Sequence, residues 1–137
     1  MDFRPPNLDA IPQVFSRYPA VQAVYLFGSY ASGKIHRESD VDLAIVPRDA
    51  SAREQLLDIM TDLVRQVYDR IDLVFLDTRD VVIRFEAVRL NRLVYKVPDF
   101  DPAGYTSRIA REYWDFLPYL AVQRHALKQR ILGHGTH

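Results

Sequence analysis

Three short runs of strand-forming residues, cut off at fixed places by glycine and proline, limit what this chain can fold into. Val21–Phe27 is dense in Val, Tyr, Leu and Phe and stops at Gly28-Ser29. Val41–Val46 is stopped by Pro47, and Ile71–Leu76 is a third run of the same kind. Side chains of this type pack well on a pleated, half-buried surface, and glycine and proline are the usual points at which such a run ends. Leu93-Val94-Tyr95 has the composition for a short edge strand.

Between the runs the apolar spacing changes from strand-like to helical. Asn7 is placed to cap a helix through Tyr18 with Leu8, Ile11, Val14 and Phe15 on one face; Pro12 makes its early part irregular and Pro19 ends it. Ser51-Ala52-Arg53-Glu54 has the spacing of a capping box, in which Ser51 and Glu54 each satisfy a free backbone N–H. Leu56, Ile59, Met60, Leu63, Val64 and Val67 then recur at helical intervals. Arg79–Leu90 reads as a further helix. After a break at Pro98 and Pro102, one long helix is expected to Leu132, with a possible bend at Pro118. Helices alternating with few, short strands predict an α/β or α+β fold: a small mixed β-sheet packed by helices, with a long C-terminal helix. A length of 137 residues fits one domain, its core at about residues 7–97 and its C-terminal helix at about 103–132.

The bulk numbers exclude several classes of function. The 18 basic and 18 acidic residues cancel, so there is no cationic excess of the kind that binds a nucleic-acid backbone directly. Cysteine is absent, which removes disulfides, thiolate metal sites and cysteine nucleophiles. No apolar stretch has the length of a membrane span, and Met1-Asp2-Phe3-Arg4-Pro5-Pro6 lacks the pattern of a signal peptide. A cytoplasmic setting is the default expectation.

The chemistry-bearing residues lie at the strand ends. Asp40 and Asp42 are two apart at the start of the second run, so a strand there points both carboxylates to one face and Val41, Leu43 and Ile45 to the other. Two carboxylates this close repel unless a cation sits between them, and magnesium accepts a few carboxylates completed by phosphate and water. Asp72 is an acid inside an apolar strand, where an unpaired buried charge is costly. With the second and third runs adjacent, it joins Asp40 and Asp42. Three carboxylates can hold two divalent ions, one orienting a triphosphate and one activating an attacking hydroxyl. Gly28 lets the backbone turn tightly, and the next turn offers free N–H groups and the Ser29 hydroxyl to a phosphate. Gly33 keeps the following loop pliant, and Lys34 and Arg37 are candidates to meet the outer phosphates. Each piece alone is weak: Gly-Ser after a strand is ordinary turn chemistry, and a lone strand Asp is more often paired with an arginine. Their order and spacing together are specific.

Gly28-Ser29-Tyr30-Ala31-Ser32-Gly33, then Ser39-Asp40-Val41-Asp42-Leu43, then Asp72, resembles the DNA polymerase beta-like nucleotidyltransferase superfamily, and within it the minimal nucleotidyltransferases, or MNT proteins. Arg84–Arg89 through Leu93–Tyr95 is similar to their segment after the third acid, and Glu112–Phe116 with Pro118–Leu120 resembles the C-terminal helix of MNT antitoxins. The resemblance implies the polymerase beta-like fold and an antitoxin that transfers AMP from ATP to a tyrosine of a cognate HEPN ribonuclease toxin, with which it would form a hetero-oligomer. It implies that Gly28 and Ser29 bind the triphosphate, that Asp40 and Asp42 hold magnesium ions, and that Asp72 is the third acid, helping to activate the tyrosine. Many members carry Arg where this chain has Ser32, a contact that Lys34 or Arg37 would have to replace. Two other readings stand beside this one: a non-catalytic antitoxin that only covers its toxin, and a transferase for a small molecule.

Trp114 and part of its aromatic neighbourhood, Tyr113, Phe116 and Tyr119, are expected to pack on the sheet, the rest being available to a partner. His36 is expected to be exposed, and Gly133–His137 to fray.

Overall fold

The computed structural model describes residues 4–135. Four strands, β1 (Val21–Phe27), β2 (Val41–Pro47), β3 (Ile71–Phe75) and β4 (Leu93–Lys96), form one mixed sheet in the order β3-β2-β1-β4. β1 pairs antiparallel with both β2 and β4, whereas β2 and β3 run parallel. A parallel pair cannot be closed by a hairpin. The chain crosses over through α3 (Ser51–Glu54) and α4 (Leu56–Gln66), after α1 (Ile11–Phe15) and the short α2 (Ser29–Ser32). α5 (Val81–Val88) and α6 (Pro102–Gly135) complete the fold.

Strand alternation sends residues to two cores. Val41, Leu43 and Ile45 of β2 pack with Val24 and Leu26 of β1 against Ile11, Val14 and Phe15 of α1 and Ile59 and Leu63 of α4. Ala44 and Val46 face the other way, with Tyr25 of β1, against Ala87 and Val88 of α5 and Ile109 of α6. Each fully buried Leu, Ile or Phe contributes about 1.5–3 kcal/mol, and large side chains of both cores are fully buried, Leu43, Ile45, Ile59, Leu63 and Ile109 among them. The parity that places Val41 in the first core places Asp42 on the second face, at its rim.

Several local expectations are corrected. The first helix splits into a 3-10 turn, Leu8–Ala10, and α1, which ends at Phe15; Asn7 makes no side-chain cap. Pro12 sits in the first turn of α1, where its missing N–H costs nothing. The capping box at Ser51 is not formed. Ala50 is already helical in its dihedrals, and the Asp49 carboxylate accepts instead from the Ser51 amide at 2.9 Å. An aspartate two residues ahead outcompetes the serine because it is charged and closes its own local turn. Leu56 and Val64 are 41% and 42% exposed, so the buried face of α4 is narrower than its apolar spacing implied. α5 begins at Val81, capped by Asp80, whose Oδ1 accepts from the amides of Val82 at 3.0 Å and Ile83 at 3.2 Å.

α6 is the expected long helix, and Pro118 lies inside it without ending it. It is fastened near its start: Ile109 is buried, Tyr113 stacks on Phe85 of α5 at 3.9 Å, and Arg84 Nη1 donates to Glu112 Oε2 at 2.6 Å. Trp114 is 64% exposed and does not pack on the sheet. The helix phase that turns Tyr113 onto α5 turns its neighbour outward. Among the described residues no helix is long and apolar enough to cross a membrane. Thr136 and His137, part of the tail expected to fray, lie outside the described residues, as do Met1–Phe3.

Candidate active site

The site grows from the end of β1. Gly28 adopts φ +70°, ψ −151°, a conformation open to glycine and strained for other residues. It is needed for a second reason: a Cβ there would sit 2.0 Å from Asp42 Oδ2. The antiparallel register explains the proximity, because Phe27 at the end of β1 is opposite Asp42 near the start of β2. Glycine therefore lets the β1–α2 turn lie directly against the Asp42 carboxylate.

α2 is a single turn. The amides of Ala31 and Ser32 donate to Gly28 O at 3.2 and 3.0 Å, and Gly33, left-handed at φ +82°, caps it by donating to Ser29 O at 3.0 Å. The amides of Ser29 and Tyr30 come before the first intrahelical bond, and the first N–H groups of a helical turn have no partner within it. Tyr30 is buried, its ring edge-on to Tyr68 at 6.3 Å, which fixes the turn to the α4–β3 connection.

The loop from Gly33 to Asp40 is closed by a small knot. Ser39 is 3% exposed; its Oγ accepts from the His36 amide at 2.9 Å, and its own amide donates to His36 O at 3.0 Å. His36 is exposed, and its Nδ1 accepts from the Glu38 amide at 3.2 Å. This knot sets the backbone immediately before Asp40.

The three acids are arranged unevenly. Asp42 and Asp72 are register partners on the parallel strands β2 and β3, and such neighbours lie about 4.8 Å apart. Asp42 is half-buried, whereas Asp40 and Asp72 are exposed. Asp72 is thus open to solvent, contrary to the reading of an acid enclosed in an apolar strand: β3 is the sheet edge and Asp72 stands near its start. Burial first, then the charges of Asp72 and Asp40, push the Asp42 carboxyl from its ordinary value up to about 6. Among the described residues no basic side chain forms an ion pair with Asp42 or Asp72. Arg70 Nε lies 4.0 Å from Asp40 Oδ1, the outer limit of such a contact. Among the described residues no group of three or more acids or histidines is already gathered as a metal-ligand cluster. What exists is a register-paired couple with Asp40 beside it. The couple consists only of carboxylate oxygens, repels itself, and has one member pressed against a turn that lacks a Cβ. That donor set fits a hard divalent cation such as magnesium.

Lys34 and Arg37 are exposed on the loop, and among the described residues their side chains make no hydrogen bond or ion pair. The structure therefore brings Gly28, Asp42 and Asp72 together with Asp40 adjacent, and leaves Lys34 and Arg37 at the margin. Of the two roles the sequence leaves open for Tyr30, packing beside the loop or bordering a nucleotide, the structure shows the packing. Sequence reasoning missed Arg70 and Tyr68: a basic residue ahead of a strand and a lone tyrosine have no pattern to find.

Residues 9–99 match the family described as polymerase beta, nucleotidyltransferase. Over 65 residues the chain is 34% identical to the protein adenylyltransferase MntA of Shewanella oneidensis, covering 47% of this chain and 47% of that protein. The match thus spans about half the length of this curated relative. A crystal structure of a toxin-antitoxin with AMP-PNP contains a chain of the same fold: TM-score 0.64, 25% identity, 92% of this chain and 98% of that one. The MNT antitoxin structure solved in complex with a tri-AMPylated Shewanella oneidensis HEPN toxin is similar in fold, with TM-score 0.59, 21% identity and coverage of 92% and 96%.

Proposed function

We propose that this chain, which belongs to the polymerase beta nucleotidyltransferase family, is an MNT-type antitoxin that transfers AMP from ATP to a tyrosine hydroxyl of a cognate HEPN toxin and so neutralises it. One observation carries the reading. Asp42 is half-buried, pressed on a turn with no Cβ, crowded by two further acids and, among the described residues, in an ion pair with no basic side chain. A carboxylate needed only for folding would gain by being paired or replaced. The relatives supply the class of donor and acceptor: the similar toxin-antitoxin was solved with AMP-PNP, and the matched relative is named a protein adenylyltransferase.

In this reading the triphosphate lies along the β1–α2 turn, where the Ser29 and Tyr30 amides and the Ser29 hydroxyl donate to its oxygens. Lys34 and Arg37 close on the outer phosphates from the loop. Asp40, Asp42 and Asp72 would hold the magnesium, which when bound neutralises phosphate charge and lowers the pKa of a coordinated hydroxyl. The acceptor phenol has a pKa near 10, and Asp72, exposed like Asp40 but on the edge strand, would accept its proton. The acceptor oxygen then bonds to the α-phosphorus, the bond from that phosphorus to the bridging oxygen of the β-phosphate breaks, and pyrophosphate leaves with the electron pair. The protein's part is positioning and charge neutralisation. Asp72 stands on an edge strand, open to solvent, which leaves space for an acceptor side chain delivered by another protein.

The test mixes the chain with its toxin, ATP and magnesium and reads the toxin by intact mass. The expected result is a mass increase equal to one or more AMP groups, together with loss of toxin ribonuclease activity, both absent with Asp42→Asn or Asp40→Asn. A toxin that is silenced at unchanged mass would overturn transfer and leave a covering antitoxin. Transfer to a small molecule with the toxin unmodified would overturn the choice of acceptor.

A further inference from the structure

Arg70 lies between α4 and β3 and contacts the loop before β2, Tyr68 and Asp40. Its Nη2 donates to Arg37 O at 2.6 Å, in the middle of the loop from Gly33 to Asp40, and to the Tyr68 hydroxyl at 3.2 Å. Its Nε lies 4.0 Å from Asp40 Oδ1, and the guanidinium stands over the Tyr68 ring at 5.7 Å. Tyr68 in turn packs against Tyr30 of the β1–α2 turn. The backbone of Arg70 adds a further tie, since its carbonyl accepts from the amide of Val41, the residue between Asp40 and Asp42, at 3.0 Å.

These contacts differ in weight. The ion pair to Asp40 is long and both partners are well exposed, so it contributes little. The short bond from a charged donor to a backbone carbonyl is the strong one. That carbonyl belongs to a loop with few other fastenings: the His36–Ser39 knot closes the loop on itself and does not tie it to the sheet. The side chains of Lys34 and Arg37 are themselves unfastened among the described residues.

We propose that Arg70 is a positioning residue which pins the loop from Gly33 to Asp40 to the β3 edge, and so sets where Lys34, Arg37 and Asp40 stand relative to the Gly28–Ser29 turn. One nitrogen, Nη2, holds both the loop carbonyl and the Tyr68 hydroxyl, while Nε faces Asp40 and the guanidinium plane lies over the Tyr68 ring, so that Tyr68, and through it Tyr30 and the turn, is kept in place. A lysine ammonium has neither the second nitrogen toward Asp40 nor the plane over the ring, and holds only part of this set. The consequence for ATP use rests on the transferase reading; the pinning of the loop does not.

The loop carries its own reporter, because Lys34 and Arg37 are trypsin sites. Limited trypsinolysis of the intact, ligand-free chain is expected to cut after Lys34 and Arg37 about tenfold faster in Arg70→Gln than in the natural protein, the scale of a lost charge-assisted hydrogen bond. Arg70→Lys should fall between the two, and Arg65→Gln, at a neighbouring exposed arginine whose side chain makes no hydrogen bond or ion pair to the loop among the described residues, should match the natural protein. The melting temperature of Arg70→Gln should stay close to that of the natural protein, which separates loosening of the loop from loosening of the fold. In the transfer assay KM for ATP should rise about tenfold while kcat changes much less, the signature of lost binding and not of lost chemistry. Equal cleavage of the natural protein and Arg70→Gln would overturn the proposal whatever the transfer assay shows. Faster cleavage in a protein that transfers no AMP would leave the pinning standing and remove the transferase.

Discussion

Replacing Asp42 with Asn should stabilise the fold at neutral pH. The carboxyl is held at about 6 against an ordinary 3.8, chiefly by burial and then by Asp72 and Asp40. A displacement of about two pH units corresponds to about 3 kcal/mol in full. The site opens to solvent at one side, so screening reduces the figure to about 2 kcal/mol. The sign follows from linkage. With its folded value raised, the group contributes stability in its protonated form, fully present below about pH 4 and lost as pH rises through about 6. At pH 7.5 the natural protein therefore carries the whole cost of an ionised Asp42, and the Asn variant carries none. Urea unfolding of the two proteins in EDTA should show the variant ahead by about 2 kcal/mol at pH 7.5 and nearly level at pH 3.5. In thermal melts the same gap is about 6 °C for a chain of this size. A variant that is no more stable at pH 7.5, or whose lead is the same at both pH values, would refute the argument that burial and like charges strain this carboxylate. The same substitution should abolish transfer, so stability and activity are expected to move in opposite directions at one atom pair.

Gly28→Ala should do the reverse of a harmless change: strain of about 1–3 kcal/mol at φ +70° and displacement of the Asp42 carboxylate together predict a lower melting temperature and, from a misplacement on the order of 1 Å, about a hundredfold loss of transfer. A variant with natural rates would show that the contact between Gly28 and Asp42 is relaxed in solution. Ser29→Ala removes one donor among several and should raise KM for ATP about fivefold, the worth of about 1 kcal/mol, with kcat little changed; kinetics identical to the natural protein would take the hydroxyl out of the site. Asp80→Ala removes the α5 cap and should cost about 1 kcal/mol in urea unfolding while leaving KM alone, since the Asp80 carboxylate bonds only the first amides of its own helix; an unmoved urea midpoint would mean that another group caps the helix.

What could be read in advance divides along physical lines. The bounds of β1 were predicted to the residue because Gly28 ends it for reasons of backbone conformation, and β2 and β3 were placed within one residue for similar reasons of punctuation. The pairing of Asp42 with Asp72 required only that β2 and β3 be neighbours, which three short strands and a crossover-length helix make natural. Exposure was harder to foresee. Asp72 looks enclosed from its apolar flanks, yet it stands on the sheet edge, and edge position is a property of strand order that no local pattern encodes. Trp114 and Leu56 failed likewise, since helical spacing says which residues share a face and not how much of that face another element covers. The capping box at Ser51 lost to Asp49, a competition between two valid local motifs that only geometry decides. Arg70 was invisible because its partners are a backbone carbonyl and a hydroxyl, groups found on many residues.

The parallel pairing of β2 with β3 makes the site a matter of phase. The connection through α3 and α4 can change length without disturbing Asp72. One residue inserted within β3 ahead of it would turn Asp72 to the opposite side of the sheet, among the side chains that meet α4. The two carboxylates are a whole crossover apart along the chain and become neighbours only when that crossover has docked. An ion that required both would therefore recognise the finished fold and ignore the unfolded chain, and its concentration would help to decide how much of the protein is folded at all.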